Sequence, residues 1–283
     1  MEWDENTQQL KPIALLRVQQ LPHLPIRYVP VIFITQKAVA KLKPVDAPKL
    51  AENIARLLAQ ISAQHSLNPH EVQLDCDWTN GTRAVYFSLL SALKKTAFFK
   101  DKTLSCTIRL HQVKYAMKSG IPPVDRGLIM CYNVGNLKQP GAHNSILDAS
   151  LTKDYLKNLG SYPLPVDVAL PLYSWCLHFH EGRLVGILRD VAPDAVTQNP
   201  LFAQRKDNVY ACRRDTLWQG YSFRTGDEVR VENPALQNLL EVARFTANAV
   251  RNDSLNLLFF HVDSLTLAKY STHDLEAIYN AYH

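Results

Sequence analysis

The segment Val72–Trp78 reads VQLDCDW, and the segment Leu104–His111 reads LSCTIRLH. In both, apolar residues alternate with polar ones. The polar residues are Gln73, Asp75 and Asp77 in the first segment and Ser105, Thr107, Arg109 and His111 in the second. Because successive side chains of a strand point to opposite faces, each segment is predicted to be a strand with one apolar and one polar face.

This alternation favours a closed barrel over an open sheet. A central strand of an open, helix-covered sheet should be apolar on both faces. A barrel can pack one face against its helices and turn the other toward its lumen. No glycine-rich phosphate loop follows any predicted strand, so the most common signature of the open nucleotide-binding class is also missing.

Strand-like and helix-like segments continue to alternate along the chain, which is typical of a parallel sheet. The predicted strands are Arg27–Thr35, Glu71–Trp78, Thr103–Val113, Gly127–Val134, Val166–Trp175 and Leu255–Asp263. The predicted helices contain Leu50–Ile61, Val85–Leu93, Asn144–Leu159, Leu236–Ala243 and Leu275–Tyr279. We therefore expect an α/β fold, a (β/α)8 TIM-type barrel, with residues 1–283 forming a single domain.

Two parts of the chain fit this pattern less well. The first strand is incomplete: its candidate is Ile13–Val18, unless the strand lies upstream of Met1. Residues 176–232 read as a β-hairpin elaboration that holds one barrel strand, with a hairpin in HFHEGRLVGIL and a turn at Thr225-Gly226-Asp227.

The bulk composition is that of an ordinary soluble globular protein, with 47% apolar and 20% charged residues. The net charge of +5 is spread along the chain, so we expect no nucleic-acid groove. No apolar run reaches the roughly 18 to 20 residues that a membrane span needs. The sequence predicts neither the compartment nor the oligomeric state; if a signal peptide has been removed before Met1, we expect an exported or periplasmic protein.

Five cysteines occur without regular spacing and without a C-x-x-C zinc pattern. We expect all five thiols to be free, with Cys76, Cys106 and Cys131 on the helix-facing side of their strands.

Barrel enzymes carry their active sites at the C-terminal ends of the strands. That rule collects Asp75, Asp77, Arg109, His111, Tyr132, Asn133, Tyr173, Trp175, His261 and Asp263 around one predicted mouth. The α-carbons of Asp75 and Asp77 should be about 6.6 Å apart on one strand face. Like charges that close raise one pKa unless a cation compensates, and Arg109 on the next strand is the candidate cation.

Some of these residues fall in motifs of a known enzyme class. The run Asp75–Thr79, DCDWT, resembles the D-x-D-W-E signature of chitinase-like glycoside hydrolases, and Met130–Asn133, MCYN, resembles their M-x-Y-D motif. VQLDCDW, IRLHQVKY and VALPLYSW in succession resemble an uncharacterised bacterial family of glycoside-hydrolase-like TIM barrels. The resemblance implies a carbohydrate ligand or substrate.

The departures from the motif bear on the chemistry. Thr79 stands where the chitinase motif has its glutamate acid, and a threonine cannot protonate a leaving oxygen. The first hypothesis is therefore a glycoside hydrolase acting on a poly- or oligosaccharide with Asp77 as acid/base, tuned by Asp75 and Arg109. Its second carboxylate would be Asp75, Asp167 or Asp263.

The remaining candidate residues are predicted to bind substrate: His111, Tyr132, Asn133, Tyr173, Trp175 and Asp263. No cofactor or metal is expected under this hypothesis. A second hypothesis is a glycan-binding barrel that has lost the catalytic glutamate. A third is a metal-dependent hydrolase in which Asp75, Asp77 and His111 hold a divalent cation. His178-Phe179-His180-Glu181 has metal-like content but is better explained by a hairpin turn.

Overall fold

The computed structural model describes residues 1–7, 9–15 and 26–282. The chain forms two compact units, and each unit is assembled from three separate segments. The first unit comprises Met1–Met130, Asn158–Asp167 and Arg251–Leu255. The second unit comprises Cys131–Lys157, Val168–Val250 and Asn256–His283.

The first unit is a parallel sheet with helices between its strands. Its strands are β1 (Glu2–Asp4), β2 (Gln9–Lys11), β3 (Val31–Phe33), β4 (Glu71–Asp75), β5 (Thr103–Arg109) and β6 (Arg126–Met130). Its helices are α1 (Gln36–Val39), α2 (Ala47–Gln64), α3 (Arg83–Leu93), α4 (Leu110–Lys114) and α5 (Ala116–Ser119), with 3-10 turns at Pro44–Asp46, Ala97–Phe99 and Leu159–Ser161. The strands β3, β4, β5 and β6 pair in parallel in that order, whereas β1 and β2 form an antiparallel ribbon.

The core of this unit follows the sequence periodicities. The apolar positions of β4 and β5, such as Leu74 and Cys106, are fully buried. Leu50, Ile54 and Leu58 recur at helical spacing along α2 and are buried as well. The apolar positions predicted from the alternation are therefore buried in the core, whereas the orientation of these faces toward the helices stays a prediction.

The second unit combines a parallel strand pair with an antiparallel sheet. Its strands are β7 (Val166–Pro171, of which the first two residues belong to the first unit), β8 (Trp175–His180), β9 (Arg183–Leu188), β10 (Phe202–Lys206), β11 (Val209–Cys212), β12 (Thr216–Trp218), β13 (Tyr221–Phe223), β14 (Glu228–Glu232) and β15 (Leu257–Phe260). Its helices are α6 (Ala149–Leu156), α7 (Pro193–Thr197), α8 (Leu236–Ala249), α9 (Ser264–Leu267) and α10 (Thr272–Asn280). β15 pairs in parallel with β7, and an antiparallel sheet has the order β10-β11-β14-β8-β9.

The predicted hairpin in residues 176–232 is confirmed. β8 and β9 are joined by Glu181-Gly182, both with positive φ, which is the geometry of a tight two-residue hairpin turn. The expectation that this region holds a barrel strand is wrong, because every strand described between residues 175 and 232 pairs in the antiparallel sense. The pairs β8–β9, β10–β11 and β12–β13 are each joined by only two residues, and such short connections can join antiparallel strands but not parallel ones, which need a crossover of a dozen or more residues.

Several predicted strands differ from the structure. The apolar run of Arg27–Thr35 predicts a buried strand, but only β3 is a strand there, and Val31 and Phe33 are more than half exposed, so the predicted burial is wrong. Thr103–Val113 ends as a strand at Arg109, and Val166–Trp175 is divided between β7 and β8. In the candidate first strand Ile13–Val18, Ile13–Leu15 are not extended into a strand, and the remainder lies outside the described residues.

No helix in the described part of the chain is long and apolar enough to cross a membrane.

Candidate functional site

In the first unit, an acidic group lies at the C-terminal ends of β4 and β5. We define it as Asp75, Asp77, Thr107 and Arg109. Leu74 lies opposite Cys106 in the register, so Asp75 comes beside Thr107, whose hydroxyl donates to Asp75 Oδ1 at 2.7 Å. Asp77 follows the end of β4, and Arg109 Nε lies 3.6 Å from Asp77 Oδ1. The structure thus brings together the three residues predicted to be catalytic.

Burial raises the pKa of Asp75. The hydrogen bond from Thr107 opposes that shift, the Asp77 charge adds to it, and Arg109 opposes it. The pKa of His111 is lowered, first by burial and then by the positive charge of Arg109. The acidic group therefore contains a carboxyl that holds a proton more readily than a solvated aspartate does.

One carboxylate oxygen of the group accepts no hydrogen bond from the described residues. This atom, Asp77 Oδ1, is shielded from solvent, although the Asp77 side chain as a whole is 42% exposed. The main chain around it is held in place: Gln36 Nε2 donates to Asp77 O at 3.0 Å, and Gln112 Nε2 donates to Trp78 O at 3.0 Å. Because buried acceptors are normally satisfied, this oxygen is suited to a hydroxyl or N–H donor of a bound molecule.

Thr79, which stands at the glutamate position of the motif that the sequence resembles, takes part in starting a helix. The Thr79 N–H donates to Thr82 Oγ1 at 2.9 Å, and Thr79 O accepts from the Arg83 N–H at 2.8 Å at the beginning of α3. Thr79 carries no group that titrates near neutral pH, so it cannot supply the proton of a glycosidase acid.

His111 does not lie on a strand, contrary to the predicted alternation. Arg109 ends β5, and the Arg109 N–H donates to Gln112 Oε1 at 2.8 Å, which caps the first turn of α4. His111 therefore belongs to the first turn of α4 and not to a strand face.

Phe33 was not among the predicted site residues. This residue ends β3 directly opposite Asp75 in the parallel register, and 54% of it is exposed. Its position in the apolar run VIFIT gave no sign of exposure, but its alternation with the buried Ile34 is a signal that could have identified it.

In the second unit, an aromatic cluster lies around the C-terminal ends of β7 and β15. We define it as Tyr132, Tyr173, Trp175, Phe260 and His261. The Tyr173 ring lies 5.5 Å from the Trp175 ring and 5.8 Å from the Phe260 ring, in edge-to-face contacts. Tyr132 stacks on Phe260 at 5.1 Å, and 46% of Phe260 is exposed. An aromatic surface thus reaches solvent at these strand ends.

Two polar contacts fix the cluster. Tyr173 OH donates to Asn133 Oδ1 at 2.6 Å, and Trp175 Nε1 donates to Glu232 Oε2 at 2.9 Å. Asn133 has a φ of 56°, a left-handed conformation that asparagine adopts more easily than most residues. Glu232 is a functional candidate that the sequence analysis missed, because nothing in EVRVE distinguishes it from a surface glutamate.

Asp263 has a local structural role. It caps α9 by accepting from the Thr266 N–H at 2.7 Å, and it accepts from His261 Nε2 at 2.8 Å. The Thr266 hydrogen bonds, followed by the one from His261, lower the pKa of Asp263 to about 2. Asp167, another candidate second carboxylate, accepts from Arg126 Nη1 at 2.7 Å.

The predicted site residues thus form two sets. Asp75, Asp77, Arg109 and His111 belong to the first unit, and Tyr132, Asn133, Tyr173, Trp175 and Asp263 belong to the second. Their convergence on one mouth remains a prediction. Within residues 1–7, 9–15 and 26–282, no three His, Cys, Asp or Glu side chains are arranged to hold a metal ion.

No family model and no curated protein matches the sequence. Solved structures match the fold. The chitinase from Chromobacterium violaceum is 13% identical with a TM-score of 0.57, and the match covers 90% of this chain and 80% of that one. The spore cortex-lytic enzyme SleL from Bacillus cereus is 15% identical with a TM-score of 0.54, over 90% of this chain and 60% of that one.

A mutant GH18 chitinase from Cycas revoluta, solved in complex with (GlcNAc)4, is 13% identical with a TM-score of 0.52, over 89% of this chain and 80% of that one. At such identities the likeness shows the fold alone. The chain has a mixed α/β fold like that of these solved structures, in agreement with a TIM-type barrel.

Proposed function

We propose that this protein binds a poly- or oligosaccharide through a glycoside-hydrolase-like barrel and does not hydrolyse it. The observation that carries the proposal is the chemistry of the acidic group. Thr79 occupies the position of the expected acid, and Asp77, the carboxylate nearest to it in the motif, lies beside Arg109. The group can therefore bind hydroxyls but has no evident proton donor at the motif's acid position.

The binding chemistry follows from the two sets of residues. The partly exposed Asp77 carboxylate and the Arg109 guanidinium present an acceptor and a fork of donors, which suit the hydroxyl and amide groups of sugars. The aromatic cluster presents ring faces on which the C–H face of a pyranose can stack. The fold is shared with chitinases and a cortex-lytic enzyme, one of them solved with (GlcNAc)4, which supports a carbohydrate as the ligand.

A second candidate is a glycoside hydrolase with Asp77 as acid/base. The raised pKa of Asp75 favours it, because glycoside hydrolysis needs one carboxyl that keeps its proton while another is ionised. Asp75 and Asp77 would then divide those roles.

One pair of measurements on Asp77→Asn separates the candidates. The substitution keeps the side chain's shape but removes its titration. For a binding protein, the wild type releases no reducing ends from soluble chitin oligosaccharides, and calorimetric affinity for (GlcNAc)4 falls by roughly the 0.5–1.5 kcal/mol of one hydrogen bond. Asp101→Asn, at an exposed position in the same unit, is the matched control and should leave affinity unchanged.

The enzyme candidate predicts a different result. The wild type would release reducing ends, and Asp77→Asn would lower turnover by the roughly 10² to 10⁴ typical of general acid–base catalysis, with little change in affinity. Turnover in the wild type would contradict the binding proposal, and full turnover in Asp77→Asn would exclude Asp77 as the acid/base.

A further inference from the structure

A fully buried ion pair lies on β14 of the second unit. Arg230 Nε donates to Glu232 Oε1 at 2.6 Å, and the two side chains are 1% and 0% exposed. Removing two charges from water is costly, and replacing such a pair by apolar residues is often neutral or stabilising. Stability alone therefore gives little reason for a charged pair at this position.

The contacts of Glu232 show what the pair holds. Besides Arg230, its carboxylate accepts from the Ser145 N–H and hydroxyl, both at 2.7 Å, and from the Ile146 N–H at 3.2 Å. Its remaining donor is the indole Nε1–H of Trp175 at 2.9 Å. A single carboxylate thus connects a half-buried tryptophan to the segment that contains Ser145.

Arg230 holds the same segment from the other side. Its guanidinium donates to the main-chain oxygens of Leu137 at 3.2 Å and Gly141 at 3.3 Å, and also to that of Gln139. It lies 4.9 Å from the centre of the Phe179 ring, over its face. The pair therefore fixes residues 137–146 and the Trp175 indole to one strand of the antiparallel sheet.

We propose that Arg230 and Glu232 are positioning residues, which set the orientation of the Trp175 ring for stacking on a sugar. This inference rests on the proposed glycan binding. Four further donors hold the Glu232 carboxylate in place. The hydrogen bond from the Trp175 indole N–H to this carboxylate therefore favours one orientation of the ring. Trp175 in turn contacts Tyr173, so its orientation bears on the aromatic cluster as a whole.

The test follows both the ring and the ligand, with (GlcNAc)4 as the probe. The indole N–H resonance of Trp175 is assigned by its loss in Trp175→Phe. In Glu232→Gln this resonance should shift upfield and exchange faster with solvent, because its acceptor loses its charge. Affinity for (GlcNAc)4 should fall about tenfold, which corresponds to about 1.4 kcal/mol and lies within the range of coupling energies between contacting residues.

A double-mutant cycle distinguishes positioning from general structure. If Glu232 acts through Trp175, Glu232→Gln should lower affinity no further in the Trp175→Phe background. An equal loss in both backgrounds would overturn the proposal. Ser145→Ala is the control: it removes a different donor to the same carboxylate, so it should reduce stability but leave the Trp175 resonance and the affinity in place.

The variant Trp175→Phe and the wild type each supply a further test. Trp175→Phe leaves the buried pair intact and removes the same hydrogen bond, so it carries the test if Glu232→Gln does not fold. Unchanged binding by Trp175→Phe would overturn the inference. If the wild type binds no (GlcNAc)4 or longer chitin oligosaccharide, the proposed function fails on its own. An unchanged Trp175 resonance in Glu232→Gln overturns the positioning role independently.

Discussion

Buried carboxylates in this protein differ in how many donors they meet. Asp75 accepts a hydrogen bond from Thr107, and burial leaves its pKa raised. Burial also acts to raise the pKa of Asp227, but hydrogen bonds from the Arg224 N–H and from the rings of His180 and His178 outweigh it and lower that pKa. Hydrogen-bond donors therefore outweigh the effect of burial at Asp227 but not at Asp75.

These opposite shifts predict opposite pH dependences. A raised native pKa means that folded Asp75 binds more protons than the unfolded chain, so its contribution to stability falls as pH rises above the unfolded value of about 3.9. Asp75→Asn has no ionisable carboxyl at this position and therefore avoids this decrease in stability. Its stability relative to wild type, measured by urea unfolding, should therefore increase between pH 4 and pH 7.

Asp227→Asn is the control of opposite sign. The lowered pKa of Asp227 stabilises the fold above the unfolded value, and that contribution is lost as pH falls through the native pKa. The stability of Asp227→Asn relative to wild type should therefore decrease as pH rises from 3 to 7. Parallel changes in the two variants would contradict the assigned shifts.

At the scale of elements, turns of the antiparallel sheet are specified locally. Gly226 has a φ of 89° in the turn before β14, and its N–H donates to Cys212 O at 2.8 Å. Glu181 and Gly182 both have positive φ in the turn between β8 and β9. Such backbone conformations are readily available to glycine and strained for residues with a Cβ.

A pair of glycine substitutions isolates this backbone effect. A Cβ on Gly226 or on Gly186 would meet no atom within 4 Å, but only Gly226 has a left-handed φ. Gly226→Ala should therefore reduce the free energy of unfolding by roughly 1 kcal/mol, whereas Gly186→Ala should be neutral or slightly stabilising. Chemical denaturation of both variants measures the difference, and equal losses would show that φ is not its cause.

At the scale of the whole molecule, the two compact units are interleaved in sequence. Each consists of three segments, and β7 contributes residues to both. Units that share chain in this way cannot be separated by a single cut. We therefore propose that residues 1–283 act as one domain, as the sequence analysis predicted.

Native-state hydrogen exchange tests this cooperativity. The most protected amides of β5, in the first unit, and of β14, in the second, should exchange with the same free energy of opening and the same denaturant dependence. Urea transitions followed by fluorescence and circular dichroism should also coincide. A difference of several kcal/mol between the two strands would show two independent domains.

The cysteines allow a second test of the whole fold. All five are free and buried, which confirms the prediction. Burial raises the pKa of Cys76, Cys131 and Cys176 to about 12, so their reactive thiolate forms are rare at neutral pH. Five thiols should react in denaturant without reductant, and few should react within minutes in the native protein. Fast native labelling of all five would contradict the buried core.

Features that depend on neighbouring residues could be predicted from the sequence. The alternation in VQLDCDW and LSCTIRL identified the apolar faces of β4 and β5, because the two-residue period of a strand lies in contiguous positions. The polar faces are buried as well, at Gln73, Ser105 and Thr107. The hairpin at Glu181-Gly182 followed from turn residues in the same way. Asp75, Asp77 and Arg109 could be grouped because strand ends are adjacent in a parallel sheet.

Features that depend on distant partners were decided only by the tertiary structure. Glu232 becomes a buried acceptor because Trp175 and Ser145, 57 and 87 residues away, supply its donors. β14 pairs with β8 and β11 in the antiparallel sense, and neither partner is its neighbour in the sequence. Phe33 is exposed although it lies in an apolar run. The order of neighbouring residues reveals whether a segment has the period of a strand or of a helix. The burial of a side chain and its hydrogen-bond partners depend on residues that are distant in the sequence and come into contact with it only in the folded chain.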